Sequence, residues 1–470
     1  MYIVDTVRSH GKNRFDLVAG PFLQQPGLPF AEVLTAEALE RAFTQHDALF
    51  AQDDIYSTQL VLWAFLAQVL RGGKGGACAA AVADIATYLQ QTGGDVPSGD
   101  TGDYCRARAK LDLAAVRGLA VQAAGQLEAA AEPSWLWHGL HAKLVDGFTF
   151  TMPDTPNNQR AFPQQTNQRP GAGFPIARAC AVLSLATAAI CDLKIGPYQG
   201  KETGESALLR GILDSLQPGD VAVFDRCFCS FLLLALLRLR GTHFCARLHQ
   251  RRPVDFRRGQ RLGHDDHLVT WTRPKRPDWM SPELYAQIPE TMTLREVRFH
   301  VTVPGRRTET LTVVTSLLDP ELFPKADIAQ LYGFRWNAEL DIRAIKQTLG
   351  LDHVRCKSPE MVSLELWVTL LAYNLIRRLL ATAAALHDQQ PRQLGFTLAC
   401  QTVLASWLLL TAGLCPDVQQ LWRLALARLA ANEVANRPGR IEPRVIKRNR
   451  NHYPLMHDPR GELRRKLHVT

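Results

Sequence analysis

Residues 332–346, YGFRWNAELDIRAIK, combine a stripe of charged and phenolic side chains with an apolar face. The stripe is formed by residues at offsets of zero, three, seven and fourteen: Tyr332, Arg335, Glu339 and Lys346. At about 100° per residue, an α-helix would gather them within roughly 60°. Beside them lies an apolar face of Phe334, Ala338, Ile342 and Ile345. The spacing predicts one amphipathic α-helix over the whole stretch.

This charged stripe has two interpretations. A carboxylate flanked by two cations and a phenol suits a metal ion and a phosphodiester. The alternative is a solvated helix face, on which Glu339 would pair with Arg335 and Lys346 at i,i+4 and i,i+7 spacing. The stretch alone does not decide between them, so the rest of the chain must.

The composition is that of a globular protein with a basic surplus. The 470 residues are 46% hydrophobic and 21% charged, which is enough for roughly two to four domains. The net charge of +9 favours a polyanionic partner without identifying it. Ten cysteines in no disulfide or zinc-finger pattern, and no apolar N-terminal core of signal-peptide length, predict a reducing, intracellular environment.

Residues 393–416 carry no charge and are long enough to cross a membrane. Polar side chains interrupt them at Gln401, Thr402, Ser406 and Thr411, and no second stretch of this kind exists in the sequence. We interpret this segment as a buried core helix and predict no membrane association.

The first 130 residues show helical apolar spacing, as in YSTQLVLWAFLAQVLRG. A short basic cluster, YCRARAKL, follows PSGDTGD and contains Arg106, Arg108 and Lys110. Such clusters are often solvated, but in a basic protein this one could also contact phosphates.

Residues 141–152, HAKLVDGFTFTM, alternate as a β-strand does. Asp146 interrupts an apolar face otherwise formed by Leu144, Phe148 and Phe150. Because a buried aspartate without a partner is costly, Asp146 requires a hydrogen-bond network, a metal or a place at a strand end. Asp154, in a Pro- and Asn-rich loop, is the competing candidate.

A second carboxylate follows another apolar strand. ARACAVLSLATAAICDLKIG predicts two strands, and KETGESALLRGILDSL predicts a helix opened by Gly204 and Glu205. DVAVFDRCF is then a strand that ends in Asp225 and Arg226, while the CxC of Cys227 and Cys229 is interpreted as a buried strand pair. A helix and a further strand follow, an order typical of a ribonuclease H-like core, whose sites lie at the carboxyl ends of strands.

Residues 251–315 predict an inserted β-rich region. Between residues 251 and 276 there are eight Lys and Arg against three Asp, and Trp271 and Trp279 lie near these charges, an arrangement suited to nucleic acid. The HDDH run, residues 264–267, is interpreted as a polar loop rather than a metal site. LREVRFHVTV and TETLTVVTSL predict a hairpin around PGRR.

The C-terminal region is basic. From Arg437 onward there are ten Lys and Arg against three acids. This tail could follow a phosphate backbone or lie disordered. Its candidate contacts are Arg444, Lys447, Arg448, Arg450 and Tyr453.

Taken together, the sequence resembles the DDE transposases of bacterial insertion sequences, in the group with the signature Y-x2-R-x3-E-x6-K. The residues 332, 335, 339 and 346 match that spacing at every position. Further matches cover almost the whole chain: GDYCRARAKL, VDGFTF, GFP at residues 173–175, TGE, FDR, AYNLIR and RVIKRNRNHYPL. One departure is Cys227, where the family more often has glycine.

The resemblance implies an α/β fold with a ribonuclease H-like catalytic core. The implied domains are a helical DNA-binding domain (1–130), the catalytic domain (131–250 and 316–390), an inserted β-rich DNA-contacting subdomain (251–315), and a helical C-terminal region with a basic tail (391–470). It implies a catalytic and metal-binding triad of Asp146, Asp225 and Glu339, with two Mg²⁺ or Mn²⁺ ions.

The resemblance also assigns DNA or phosphate binding to Tyr332, Arg335, Lys346 and Arg226. A flipped base would stack on Trp271 or Trp279, between which the sequence does not choose. The implied partners are double-stranded DNA, as terminal inverted repeats and as target, and a second copy on paired ends. The expected localisation of the protein is the bacterial cytoplasm, in association with the nucleoid.

Two other functions compete with DNA transposition. A transposase descendant that binds DNA without cutting it would be marked by the loss of a carboxylate, and all three are present. A ribonuclease H-like repair nuclease would not require the long basic insertion.

Overall fold

The computed structural model describes residues 36–50, 55–72, 74–301, 309–411, 417–434 and 458–467. The helices in these ranges are, in chain order, α1 (Ala36–Thr44), α2 (Thr58–Arg71), α3 (Cys78–Thr92), α4 (Gly102–Arg108), α5 (Leu113–Ala129), α6 (Pro156–Ala161), α7 (Glu205–Arg210), α8 (Phe231–Leu239), α9 (Pro282–Gln287), α10 (Lys325–Gly333), α11 (Trp336–Arg343), α12 (Pro359–Leu386), α13 (Phe396–Thr411), α14 (Val418–Ala430) and α15 (Arg460–Leu467). The strands are β1 (Ala142–Thr151), β2 (Ile176–Ser184), β3 (Ile190–Pro197), β4 (Val221–Phe224), β5 (His243–Arg247), β6 (Gln260–Gly263), β7 (Asp266–Thr272), β8 (Thr291–Val301) and β9 (Glu309–Thr315).

The chain divides into two compact units. The helical unit comprises Met1–Trp135, Ala186–Cys191 and Asp341–Val434, and the sheet unit comprises Leu136–Leu185, Asp192–Leu340 and Ala435–Thr470. These units group the chain by packing, whereas the four domains predicted from the sequence group it by function. The domain boundaries therefore remain a prediction.

Helix α12 forms the centre of the helical unit and packs on α2, α5 and α14. It begins at Pro359, directly after Ser358, whose side chain accepts from the backbone N–H of Met361 as an N-cap, and most of its length is buried. Asn374 in its middle accepts from the N–H of Ile190 and donates to the carbonyl oxygens of Ala120 and Ile190. Its amide group thereby satisfies buried backbone groups that would otherwise lack partners.

The sheet unit contains a nine-stranded sheet in the order β3-β2-β1-β4-β5-β9-β8-β7-β6. β1 pairs antiparallel with β2 and parallel with β4, and β4 pairs parallel with β5. The inserted strands extend this sheet, because β9 pairs antiparallel with β5 and with β8. The predicted strands and the β8–β9 pairing are confirmed, whereas the PGRR turn lies outside the described residues.

The prediction of one helix over residues 332–346 is wrong. Helix α10 ends at Gly333, a turn follows at Phe334 and Arg335, α11 ends at Arg343, and the next five residues form a π-helical turn, Ala344–Thr348. The turn at Phe334 and Arg335 is tighter than an α-helix, since the N–H of Arg335 donates to the carbonyl oxygen of Tyr332, three residues back. The assumed 100° step therefore does not hold along the stretch.

The interpretation of HDDH as a polar loop is half wrong. His264 is exposed and Asp265 adopts a positive φ of 55°, as in a turn. Asp266 and His267, however, begin β7 and are buried. Arg295, itself fully buried, pairs with Asp266 at 2.6 Å, which explains how this charge is tolerated in the interior.

The uncharged C-terminal segment corresponds to α13, in which Ala399, Cys400 and Val403 are buried. Among the helices described, none is long and apolar enough to cross a bilayer. Residues 435–457 of the basic tail, with Arg444, Lys447, Arg448, Arg450 and Tyr453, lie outside the described residues.

Candidate active site

Asp146 and Asp225 occupy neighbouring positions on two parallel strands. Asp225 directly follows β4, whereas Asp146 lies in the middle of β1, so the expectation of a strand-end position is wrong for Asp146. β1 and β4 run parallel, and their last paired residues are Val145 and Phe224. The next residue on each strand is an aspartate, and Asp225 has extended backbone angles that continue the strand direction. The parallel register therefore brings together two carboxylates that are 79 residues apart in the sequence.

Arg335 joins Asp146 to Glu339. One guanidinium nitrogen lies 3.4 Å from Asp146 Oδ2, and the other donates to Glu339 Oε1 at 2.9 Å. Arg335 lies in the turn between α10 and α11, one helical turn before Glu339 on α11. Its side chain is about 19% exposed, so the ion pairs are partly shielded from water.

The surroundings of Asp146 raise the pKa of its carboxyl group. Burial raises its pKa to about 6, and the like charges of Glu205 and Glu339 act in the same direction. A hydrogen bond from the N–H of Gly147, 2.9 Å long, and the nearby guanidinium of Arg335 lower it in part. A bound cation would favour the ionised form of such a group.

Tyr332 lies deeper than the signature alone suggests. Its side chain is buried, and its ring is 6.4 Å from that of Phe299. Burial raises the pKa of its hydroxyl well above the ordinary value, and Asp225 acts in the same direction while Arg335 and Arg247 oppose it. Its phenol is therefore a neutral group close to the charged cluster.

The other predicted phosphate-binding residues lie in different surroundings. Arg226 is exposed and donates to Gln250 at 3.0 Å. Lys346 belongs to the helical unit, lies in the π-helical turn and pairs with Asp352 at 2.7 Å.

Asp154, the rival of Asp146, has other partners. Its carboxylate pairs with Arg460 at 2.5 Å and accepts from Gln159 at 2.7 Å. The contact of Arg335 is with Asp146.

The two tryptophans of the insertion differ in accessibility. Trp271 is 4% exposed, donates its indole N–H to Glu296 and has Arg252 3.6 Å from its ring. Trp279 is only half-buried, with Arg210 3.9 Å from its ring centre. Of the two rings, Trp279 leaves more surface open to another molecule.

The carboxylate group fits a divalent cation by its chemistry. Carboxylate oxygens are the ligands that Mg²⁺ and Mn²⁺ prefer. Within the described ranges, no three His, Cys, Asp or Glu side chains converge closely enough to enclose an ion. Instead, the guanidinium of Arg335 contacts Asp146 and Glu339 together, the arrangement in which a positive charge is shared by two acids.

Two further residues of this region were not predicted as site residues. Glu205, the first residue of α7, accepts from the thiol of Cys227, with the two atoms 3.5 Å apart. Cys227 is exposed and lies in a short 3₁₀ turn after Asp225, so the expected strand pair with the buried Cys229 is wrong. Both residues belong to motifs that the sequence analysis noted, TGE and DRCF. Their contact could not be predicted, because the two motifs come together only in the folded chain.

Comparison with known proteins gives a consistent result. Residues 137–375, about half of the chain, match the family model of the transposase DDE domain. Over 352 residues the chain is 29% identical to the transposase InsG for insertion sequence element IS4 of Escherichia coli (strain K12), covering 74% of this chain and 77% of that protein.

Two more distant similarities exist. A stretch of 106 residues is 27% identical to the putative transposase InsZ of the same organism and covers 22% of this chain and 34% of that protein. A cryo-EM structure of the piggyBac transposase synaptic complex with hairpin DNA aligns with a TM-score of 0.41 at 10% identity, over 90% of this chain and 86% of that one.

Proposed function

The chain belongs to the DDE transposases of insertion sequences, and we propose that it cleaves DNA at the ends of its element and transfers the cut strands into target DNA. Asp146, Asp225 and Glu339 are the proposed catalytic residues. The observation that carries this proposal is the guanidinium of Arg335, which contacts the carboxylates of Asp146 and Glu339 beside the neighbouring strand end that leads into Asp225.

We assign the catalytic domain to the ribonuclease H-like class. The sheet order β3-β2-β1-β4-β5, with β1 antiparallel to β2 and parallel to β4, supports this assignment. In such a sheet Asp146, the first β1 residue beyond the pairing with β4, and Asp225, the residue after β4, take neighbouring positions at the carboxyl end of β4, where an α/β site is expected.

Asp146, Asp225 and Glu339 would hold Mg²⁺ or Mn²⁺, in our proposal two ions. When bound, such ions supply activation of the attacking oxygen and stabilisation of the leaving oxygen in phosphoryl transfer. The donor type and the raised pKa of Asp146 support this assignment, because a bound cation favours the ionised form of a carboxylate that is partly withdrawn from water.

The chain's own cations would bind the DNA backbone. Arg335 presents paired N–H donors, which match two phosphate oxygens as well as they match carboxylates. Arg226 is exposed beside Asp225 and can donate to a second phosphate. Lys346 and Tyr332 are assigned to phosphates by the signature, Tyr332 as a neutral hydrogen-bond donor.

The proposed substrate is double-stranded DNA, first the terminal inverted repeats and then the target. We propose that two copies of the chain act on paired ends, at the bacterial nucleoid. If a base is flipped out of the duplex, the half-buried Trp279 is the better stacking partner, because Trp271 is almost fully buried and its indole N–H is engaged.

The test is Mg²⁺-dependent cleavage of end DNA by Glu339→Gln. We expect cleavage to fall by about a thousandfold or more while DNA binding is retained, because the change removes one charge from the catalytic group. Asp154→Asn is the matched control and should cleave like the wild type, since Asp154 pairs with Arg460 instead.

Other outcomes would favour the alternatives. Wild-type protein that binds end DNA without cutting it would be an inactive descendant of a transposase. Cleavage without any joining to target DNA would indicate a ribonuclease H-like nuclease. Undiminished cleavage by the Glu339→Gln variant would overturn the catalytic assignment.

A further inference from the structure

A cavity of about 440 Å³ opens in the helical unit. Its walls come from α2, the start of α3, the end of α4, the segment after the π-helical turn and the beginning of α12. Much of the lining is apolar, from Phe65, Val69, Leu349, Leu351, Val354 and Met361. A cavity of this size, with apolar walls and a few polar groups, is typical of a site for a small organic molecule.

Arg108, at the end of α4, places a cation at this cavity without a counter-ion. Its guanidinium donates to Gln68 Oε1 at 3.0 Å, lies 3.8 Å from the sulfur of Cys356 and packs 4.7 Å from the ring centre of Phe65. Its Nε is buried and has no hydrogen-bond partner. In the described ranges, no Asp or Glu pairs with Arg108. A cation partly withdrawn from water is costly in this state, and an anionic ligand would reduce the cost.

Two further cations stand at the mouth of the cavity. Arg355 and Lys357 are exposed and belong to its lining. Among the described residues that line it, Glu365 is the only carboxylate, and it accepts from the backbone N–H groups of Arg355 and Cys356 at 2.9 Å each. Three cations against one carboxylate give the cavity a positive charge, which favours a ligand with more than one negative charge.

The start of α3 forms another part of the wall, close to Arg108. Gln68 connects the two, because its amide nitrogen donates to the carbonyl oxygen of Gly76 at 2.7 Å while its oxygen accepts from Arg108. A Cβ on Gly76 would lie 2.4 Å from the carbonyl oxygen of Gln68, so only glycine fits there. The N-cap residue Ala77 has no side-chain group to cap the first N–H groups of α3. The positive end of this helix therefore adds to the charge of the cavity wall.

We propose that this cavity binds a nucleotide, with the phosphate at Arg108 and the start of α3 and with the sugar and base against the apolar walls. A phosphate supplies the multiple negative charge and the paired oxygens that a guanidinium binds best. The nucleotide can come from two sources, free in solution or as part of a DNA strand. The inference does not depend on the proposed catalytic residues, because all of the lining belongs to the helical unit.

The test uses two half-buried thiols of the lining, Cys78 and Cys105. The full-length protein is alkylated with a maleimide in EDTA, and the labelled peptides are quantified by mass spectrometry. We expect each of the four deoxynucleoside monophosphates to slow the labelling of both thiols severalfold. Cys227, exposed in the sheet unit, is the internal control and should react at an unchanged rate. Equal slowing at Cys227 would contradict the proposed site.

Arg108→Gln tests the role of the guanidinium. We expect the concentration of nucleotide that gives half-maximal protection to rise about tenfold or more, because a hydrogen-bonded charge pair is lost. Arg106→Gln is the matched control, since Arg106 lies on the same helix, is exposed and pairs with Asp103, and its removal takes away the same charge. Should Arg108→Gln fail to fold, Lys357→Gln at the exposed mouth decides, with a severalfold weakening expected. Unchanged protection in the folded variant would overturn the inference.

The choice of ligands separates the parts of the proposal. Deoxynucleosides, which lack the phosphate, should not protect, and equal protection by them would overturn the proposal. Inorganic phosphate as effective as the nucleotides would do the same, because the apolar walls would then contribute nothing. Protection by end DNA at a lower concentration than by the monophosphates would identify the occupant as a nucleotide of the DNA strand, and protection by the monophosphates alone would identify a free nucleotide. DNA cleavage is not measured, so failure here leaves the proposed function standing.

Discussion

At the scale of single residues, the balance at Asp146 explains why Arg335 belongs to the signature. Burial and two neighbouring acids disfavour the ionised Asp146, and the guanidinium and the N–H of Gly147 only partly offset them. A group that is held ready for a cation is destabilising when the cation is absent. The ionised Asp146 should therefore lower the free energy of unfolding measurably in metal-free buffer.

We predict that Asp146→Asn is more stable than the wild type at pH 7.5 in EDTA. The folded pKa of Asp146 is raised from 3.8 to about 6, so its stabilising protonated form is complete below pH 3.8 and is lost as the pH rises through 6. A shift of this size corresponds to roughly 1–3 kcal/mol, and the asparagine removes the penalty. Thermal unfolding at pH 7.5 and at pH 5 measures the difference, which should shrink at the lower pH.

Asp154→Asn is the control for this experiment. It loses its pair with Arg460 and should gain no stability at either pH. A melting temperature for Asp146→Asn at or below the wild-type value at pH 7.5 would contradict the proposed balance of charges.

At the scale of secondary-structure elements, the turn between α10 and α11 determines where Arg335 points. Hydrogen bonds that skip only three residues tighten the chain at Arg335, Asn337 and Ala338, and the π-helical turn after Arg343 loosens it again. The Arg335–Glu339 contact survives because four residues still separate them across one turn. The predicted alignment of Lys346 with Tyr332, Arg335 and Glu339 assumed one regular α-helix, and the structure has none over this stretch.

We predict that Gly333→Ala, at the end of α10, stabilises the protein by about 0.5–1 kcal/mol. A Cβ there meets nothing within 4 Å and the backbone has no positive φ, so alanine chiefly lowers the entropy of the unfolded chain. Gly259→Ala is the contrasting variant, because Gly259 has a φ of +77° and its Cβ would lie 2.0 Å from the carbonyl oxygen of Leu268. Its melting temperature should fall, and a fall in Gly333→Ala as well would contradict the geometry of the turn.

Elements with local signals could be predicted from the sequence, and those that depend on distant partners could not. Alternation predicted β1 and β4 together with their aspartates, and the signature predicted the family. For Asp266 and His267 the sequence favoured a polar loop. In the structure both are buried in a strand, because they pair with Arg295 and Glu296 on β8, and a partner so distant in the sequence leaves no local signal. Glu205 was seen only as the start of a helix, since its position beside Gly147 depends on the packing of α7 against the sheet.

At the scale of the whole molecule, the insertion is part of the main sheet. The β-rich character of residues 251–315 was predicted, but the pairing of β9 with β5 was not, because strand partners far apart in sequence leave no local pattern.

The excess of basic residues is likewise a property of the whole chain, and α15 contributes Arg464, Arg465 and Lys466 to it. Arg460 attaches α15 to the loop after β1, through Asp154, the carbonyl oxygen of Gly173 and the ring of Phe174.

We predict that Arg464 and Arg465, exposed on α15, contact the DNA backbone. Each phosphate contact releases counterions, so the double change to glutamine should reduce the slope of log affinity against log salt by up to about 2. Fluorescence anisotropy with labelled end DNA at several salt concentrations measures that slope. The matched control changes Arg423 and Arg428, which are exposed on α14 in the helical unit, and removes the same charge. Equal slopes for the two double variants would mean that α15 contributes only to the net charge, whereas a smaller slope for the α15 variant alone would place DNA beside the loop that holds Arg460.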